Sequence, residues 1–154
     1  MKIIISESQL LRLIKEDKYK ISKDDRVVIS DTPNFKQIIP LTQVASCKYG
    51  GATKWCVSGE VGNTYQFYKD RGWDVSMIMI KNPEIQELFK TKKFAFNVWN
   101  NHIELHNDRN QPFYLKKLSE EAGIYDEVKS LLDDYINFMV SERGLEEVNT
   151  TPLS

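Results

Sequence analysis

Apolar and polar positions change period several times along the chain, and each change marks an element. Residues 75–80, Val-Ser-Met-Ile-Met-Ile, are apolar on both faces and predict a strand buried at the centre of a sheet. Residues 94–99 and 102–106 alternate on either side of Asn100-Asn101, a pair that tolerates the positive φ of a two-residue type I′ turn. Such a hairpin fixes a register: Trp99 opposite His102, Val98 opposite Ile103, Asn97 opposite Glu104, Phe96 opposite Leu105, Ala95 opposite His106. Phe96, Val98, Ile103 and Leu105 then share a core face. Ala95, Asn97, Trp99, His102, Glu104 and His106 share the other, which is polar but for one large aromatic.

Helical spacing takes over at 112–122 and again at 124–143, with Gly123 and Gly144 as the stops. In the second helix Val128, Leu131, Leu132, Tyr135, Ile136 and Met139 form the apolar stripe, and Asp126 and Glu127 sit in the first turn, where the macrodipole favours anions. Upstream, Thr42 predicts the cap of a short helix through Val44, Ala45 and Tyr49, ended by left-handed backbone at Gly50-Gly51. Thr64 predicts the cap of another, carrying Tyr65, Phe67 and Tyr68 and stopping at Gly72. Pro83 suits the first position of a helical turn over 83–89.

At the start, residues 3–5 read as a strand. Ser6 and Gln9 then have capping-box spacing ahead of a helix with the stripe Leu10, Leu11, Leu13, Ile14. Residues 26–30 form a β-branched run that ends at the turn Asp31-Thr32-Pro33-Asn34. These elements predict a single α+β domain over 1–154: an N-terminal strand-helix at 2–16, a mainly antiparallel sheet, helices packed on one face, and a polar tail at 145–154. The opposite face of the sheet would stay open and carry Trp99, Asn97 and Glu104.

Composition narrows the classes. The 154 residues include 41% hydrophobic and 28% charged positions, ordinary for a globular protein with one core. Lys and Arg number 21 against 22 Asp and Glu, so no basic surplus draws the chain to nucleic acid or to an anionic membrane. The local run Lys90, Lys92, Lys93 reads as a solvated turn. Apolar runs at 3–5 and 77–80 fall far short of the roughly 20 residues a spanning helix needs. The first residues lack the long apolar centre of a secretory signal, and two cysteines, Cys47 and Cys56, fit a reduced compartment.

Three groups of residues could carry chemistry. Tyr49-Gly50-Gly51-Ala52-Thr53-Lys54-Trp55-Cys56 crowds glycines, a lysine, an aromatic and a thiol into an irregular stretch, but it lacks the spacing of a phosphate loop. Cys56 as nucleophile, His102 or His106 as base and Asp108 as orienter would make a cysteine-dependent hydrolase or transferase. The plainer reading places Trp55 and Cys56 in the core, since free cysteine is among the most buried residue types. His102, Glu104 and His106 alternate on one strand face and could approach a metal, yet any strand with a wet face alternates so, and no zinc spacing is present. No motif asks for a cofactor. The third is the aromatic load, Trp55, Tyr65, Phe67, Tyr68, Trp73, Phe94, Phe96 and Trp99, which could stack bases or line an apolar groove but reads mostly as core. Trp99 is the exception: an indole on a polar face is what a binding hot spot presents, with Asn97 and Glu104 beside it and Lys54 and Trp55 joining if the glycine-rich loop borders that face.

The opening Lys2-Ile3-Ile4-Ile5-Ser6-Glu7-Ser8-Gln9-Leu10 and the segment Gly51-Ala52-Thr53-Lys54-Trp55-Cys56 resemble uncharacterised small proteins of tailed bacteriophages that bear a G-[TS]-K-W-C segment. The resemblance spans 3–15 and 49–112. Ala52 departs from it, standing where that segment carries a second glycine, so a loop function of that glycine does not carry over. The resemblance brings no activity. It implies action in an infected bacterial cytoplasm or in the virion, and the surface Trp then favours a non-catalytic protein that binds a phage structural or host protein.

Overall fold

In the computed structural model, residues 26–51, 53–55, 59, 63–111, 113–146, 148 and 153 are described. Five strands, β1 (Arg26–Asp31), β2 (Phe35–Pro40), β3 (Val75–Ile80), β4 (Lys93–Trp99) and β5 (His102–Asn107), pair antiparallel in the order of the chain. With the helices they make an α+β fold, and β3 occupies the centre of the sheet as its two-sided apolar pattern requires. Helices α1 (Gln43–Tyr49), α2 (Tyr65–Asp70), α3 (Pro83–Phe89), α4 (Leu115–Glu121) and α5 (Tyr125–Arg143) complete the described elements. The expected strand at 3–5, the stripe Leu10, Leu11, Leu13 and Ile14, and Cys56 lie outside the described residues.

The β4–β5 hairpin adopts all five predicted pairs, from Trp99↔His102 to Ala95↔His106. Its turn differs in one respect: Asn100 has φ 54°, whereas Asn101 stays out of the left-handed region, so the bend lacks the two positive φ values of type I′. Register propagates inward through Val75↔Asn97 and Ile78↔Phe94, then Ile38↔Met77, to β1. β1 carries an irregularity between Val28 and Ser30.

One sheet face carries Phe35, Ile39, Ile78, Phe94, Phe96, Val98, Ile103 and Leu105 beneath α5, whose Val128, Leu131, Leu132, Tyr135, Phe138 and Met139 close the main core. Tyr135 stacks on Phe96 at 6.3 Å. The second face is not left open. Ile38, Trp55, Tyr65, Val75, Met77 and Ala95 form a smaller cluster there, with Tyr49 of α1 and Tyr68 of α2 against it. The expectation of helices on a single face is corrected accordingly: the long helix covers one face, and two short helices with a loop cover part of the other. In the segment expected to be a polar tail, Leu145, Val148 and Leu153 pack on the main core.

Local stops follow the chemistry with two exceptions. Thr42 Oγ1 accepts from the Ala45 N–H, Pro83 opens α3, and Gly72, Gly123 and Gly144 take positive φ. Gly50, however, has φ −85°, so α1 ends without left-handed backbone there. Gly51 matters for closeness instead, since a Cβ on it would stand 3.2 Å from the Lys48 carbonyl. At α2, Asn63 rather than Thr64 supplies the cap, its Oδ1 accepting from the Tyr65 N–H at 2.7 Å.

Candidate functional site: an aromatic corner

Trp99 ends β4 on the face away from the main core, and it does not stand alone. Helix α2 brings up Phe67 and Tyr68, and positive φ at Gly72 folds the chain back so that the Trp73 N–H donates to the Tyr68 carbonyl at 2.9 Å. Val75 pairs with Asn97, so the same register carried two residues further sets Trp73 opposite Trp99. Their ring centroids are 5.3 Å apart.

Phe67 lies nearly parallel to Trp99, at 6.1 Å and 20°, while Tyr68 meets Trp99 at 5.9 Å and Trp73 at 6.2 Å. These separations are those of rings in contact. The four rings leave no slot between them and present a ledge rather than a cage. Trp99 is 40% exposed and Phe67 41%, so two large rings face solvent side by side. Arg71 extends the ledge, its guanidinium carbon 3.5 Å from the Phe67 centroid and its Nη1 donating to the Phe67 carbonyl at 3.0 Å.

The corner is anchored from beneath. Asp74 is buried, and its carboxylate takes two hydrogen bonds from Arg143 at the end of α5. The Tyr135 hydroxyl donates to the Asp74 carbonyl. Burial, then the Asp74 charge, hold the Tyr135 phenol well above its ordinary pKa, so it remains a donor.

Of the residues expected beside Trp99, Asn97 is on the same face but buried at 7%, its Nδ2 donating to Glu104 Oε1 at 3.1 Å; Glu104 is half-buried. This pair supports the strand and does not form an open polar surface. Trp55 is core: it is 5% exposed, and its Nε1 donates to the Asn107 carbonyl at 2.7 Å. Lys54 is exposed, but its N–H reaches the Asp108 carbonyl at 2.8 Å, beyond the far end of β5. That end lies about 17 Å along the strand from His102. Trp55 and Lys54 therefore do not belong to the surface around Trp99. The loop holding them is pinned by Lys93, whose Nζ donates to the Tyr49 and Gly51 carbonyls at 2.9 and 2.8 Å. Burial lowers the Lys93 pKa, and the Asp108 charge partly restores it.

The cysteine-centred alternative has Cys56 outside the described residues. His102 and His106 do share a strand face, about 14 Å apart at four residues' rise. Asp108 turns its carboxylate to the Lys92 N–H at 3.3 Å, and among the described residues no hydrogen bond joins it to either imidazole. Nor is any group of three His, Cys, Asp or Glu side chains placed to hold a metal ion among the described residues.

Phe67 and Trp73 belong to the aromatic set that the sequence reads as mostly core, and Arg71 is not singled out there; the structure gathers all three around Trp99. The signal was present in Gly72, which reverses the chain, and in the extended β3–β4 register, but only the two together place Trp73 on Trp99. No protein-family model, no curated protein and no solved structure matches the chain. The described fold and corner define an α+β protein with a preformed aromatic surface, and no helix among the described residues is long and apolar enough to cross a membrane.

Proposed function

We propose that this chain is a non-catalytic binding protein encoded by a tailed bacteriophage, docking a phage structural protein or a host protein through the aromatic corner, in the virion or in the cytoplasm of the infected bacterium. The observation that carries the reading is the paired exposure of Trp99 and Phe67 on a ledge fixed by Trp73 and Tyr68. Large aromatics held rigid lose little side-chain entropy on docking, and such residues dominate interface energetics. The phage assignment rests on the resemblance of the first residues and of the segment 51–56.

The test is a pull-down from phage-infected bacterial cells with tagged wild type and with Trp99→Ala, read by mass spectrometry. A capsid, tail or host protein recovered by wild type and lost with the variant, at unchanged circular dichroism, is the expected outcome. Identical recovery with both proteins removes the corner from the interface and overturns the reading.

A further inference from the structure

We infer that the aromatic corner recognises an acidic and apolar segment of its partner, with a carboxylate on Arg71 next to a large apolar side chain on the Trp99–Phe67 ledge; this deepens the proposed binding function and rests on it. The cations near the corner are engaged in different ways. Arg143 is bound to the Asp74 carboxylate, and Lys69 gives its ammonium to the Leu41 carbonyl at 2.6 Å. Asp70, on the same helix, accepts from the Gln66 amide at 2.7 Å. Arg71 stands on the ledge itself, over the exposed Phe67 ring. Its contacts are the Phe67 carbonyl, the Phe67 ring and, at 5.9 Å, the Trp73 ring, with no carboxylate among the described residues.

With its guanidinium carbon 3.5 Å from the Phe67 centroid and one donor given to the Phe67 carbonyl, the cation is held in place and has donors left for a ligand. Its planar fork matches a carboxylate, and less freedom is lost on pairing than with a mobile lysine. The cation therefore stands preorganised at the margin of an apolar ledge, a pattern complementary to Asp or Glu close in sequence to Leu, Met, Phe or Trp.

Two other ligand classes fit less well. A quaternary ammonium needs rings spaced to admit it, and these rings touch one another at 5.3 to 6.4 Å. Single-stranded nucleic acid could stack on Trp99, but it requires a track of cations along the backbone path. Here, among the described residues, Arg71 is the cation that lies over the rings of the corner, on a chain of net charge −1.

A bead-displayed random dodecapeptide library, selected on the full chain with Trp99→Ala and Arg71→Glu as counter-targets, tests this. Enriched peptides should carry Asp or Glu within four positions of a large apolar residue. They should bind Arg71→Glu about tenfold more weakly, the loss expected of a charge-assisted pair. Replacing that acid by Lys should restore binding to Arg71→Glu, a reversal that mere damage to the fold cannot produce. Peptides that depend on Trp99 but carry no acid, or that ignore Arg71→Glu, overturn the inference and leave the binding function standing. Absence of any Trp99-dependent peptide overturns both. Competition by oligothymidylate that fades steeply with salt overturns the inference in favour of nucleic acid.

Discussion

Arg143 clasps Asp74 across the fold: Nε lies 2.5 Å from Oδ2 and Nη2 lies 3.3 Å from Oδ1. The pair joins the last turn of α5 to the residue that leads into β3. The carboxylate side chain is 5% exposed and the guanidinium 32%. Burial by itself would lower the Arg143 pKa, but the hydrogen bond and charge of Asp74 outweigh it and hold it above the ordinary value. The cation therefore stays charged throughout the working pH range, and Asp74 has a permanent counter-charge. Because Gly72 and Trp73 immediately precede Asp74, the same clasp sets the position of the aromatic corner.

Removing one member of this pair should hurt more than neutralising it. Arg143→Ala strands a buried carboxylate and is expected to lower unfolding free energy by about 3 kcal/mol. Asp74→Asn keeps a hydrogen-bonding side chain in place and should cost about 1 to 2 kcal/mol. Urea unfolding of both variants measures the order; a loss below about 1 kcal/mol for Arg143→Ala would mean that the carboxylate is rescued by water.

A second buried polar group lies under α5. Gln37 Nε2 donates to Ser76 Oγ at 2.8 Å and to the Leu131 carbonyl at 2.9 Å, while its Oε1 is buried without a partner among the described residues. Gln37→Leu gives up two hydrogen bonds and should cost about 1 to 2 kcal/mol. Gln37→Glu sets a carboxylate against the Leu131 carbonyl and should cost about 3 kcal/mol or more at neutral pH. Acidification should narrow the gap between the two variants as the acid takes up its proton. Equal denaturation midpoints for the two at neutral pH contradict this account.

Strand β2 shows why part of the fold was hidden. Pro33 and Pro40 bracket Phe35-Lys36-Gln37-Ile38-Ile39, and Lys36-Gln37 breaks the apolar run, so the segment reads as an extension of the turn. Gln37 is tolerable inside only because Ser76 and Leu131, 39 and 94 residues away, receive its amide. The β4–β5 register, by contrast, depends on a two-residue bend and a strict alternation, both local, and it was legible in full. Trp99 was legible for the same reason. Trp55 was read two ways, as core and as part of a binding surface, because a loop has no period to decide between them, and its 5% exposure settles it as core.

Trp55 and Trp99 should therefore separate stability from recognition. Trp55→Ala empties a core site and removes the bond to the Asn107 carbonyl, at an expected cost of about 3 to 5 kcal/mol. Trp99→Ala removes a ring already 40% exposed and should cost about 1 kcal/mol while abolishing docking. Thermal melts beside a binding assay distinguish the two. A Trp99→Ala protein that melts as early as Trp55→Ala would make Trp99 a packing residue.

Lys90 ends α3 with φ 55°, a conformation that strains a residue bearing a Cβ. Lys90→Gly should relieve the strain at some expense in unfolded-chain entropy, for a net gain of about 0.5 to 1 kcal/mol. Lys90→Ala keeps the Cβ and should give no such gain. A melting temperature raised equally by both substitutions would point to loss of the lysine charge instead.

Asp134, half-buried on α5, supplies a pH-dependent term. Burial first, and the neighbouring Asp133 charge second, raise its pKa above the ordinary 3.8. The folded state thus holds this proton to higher pH than the unfolded chain does. The resulting penalty is absent below 3.8 and fully developed above the folded value. At neutral pH Asp134→Asn should therefore be the more stable protein. Solvent around a half-exposed carboxyl screens most of the effect, limiting the gain to about 0.5 kcal/mol. Paired urea midpoints at neutral pH and near the carboxylate range should show the advantage shrinking with acidification. An advantage that grows as the pH falls reverses the sign and assigns the effect to helix propensity or to another carboxylate.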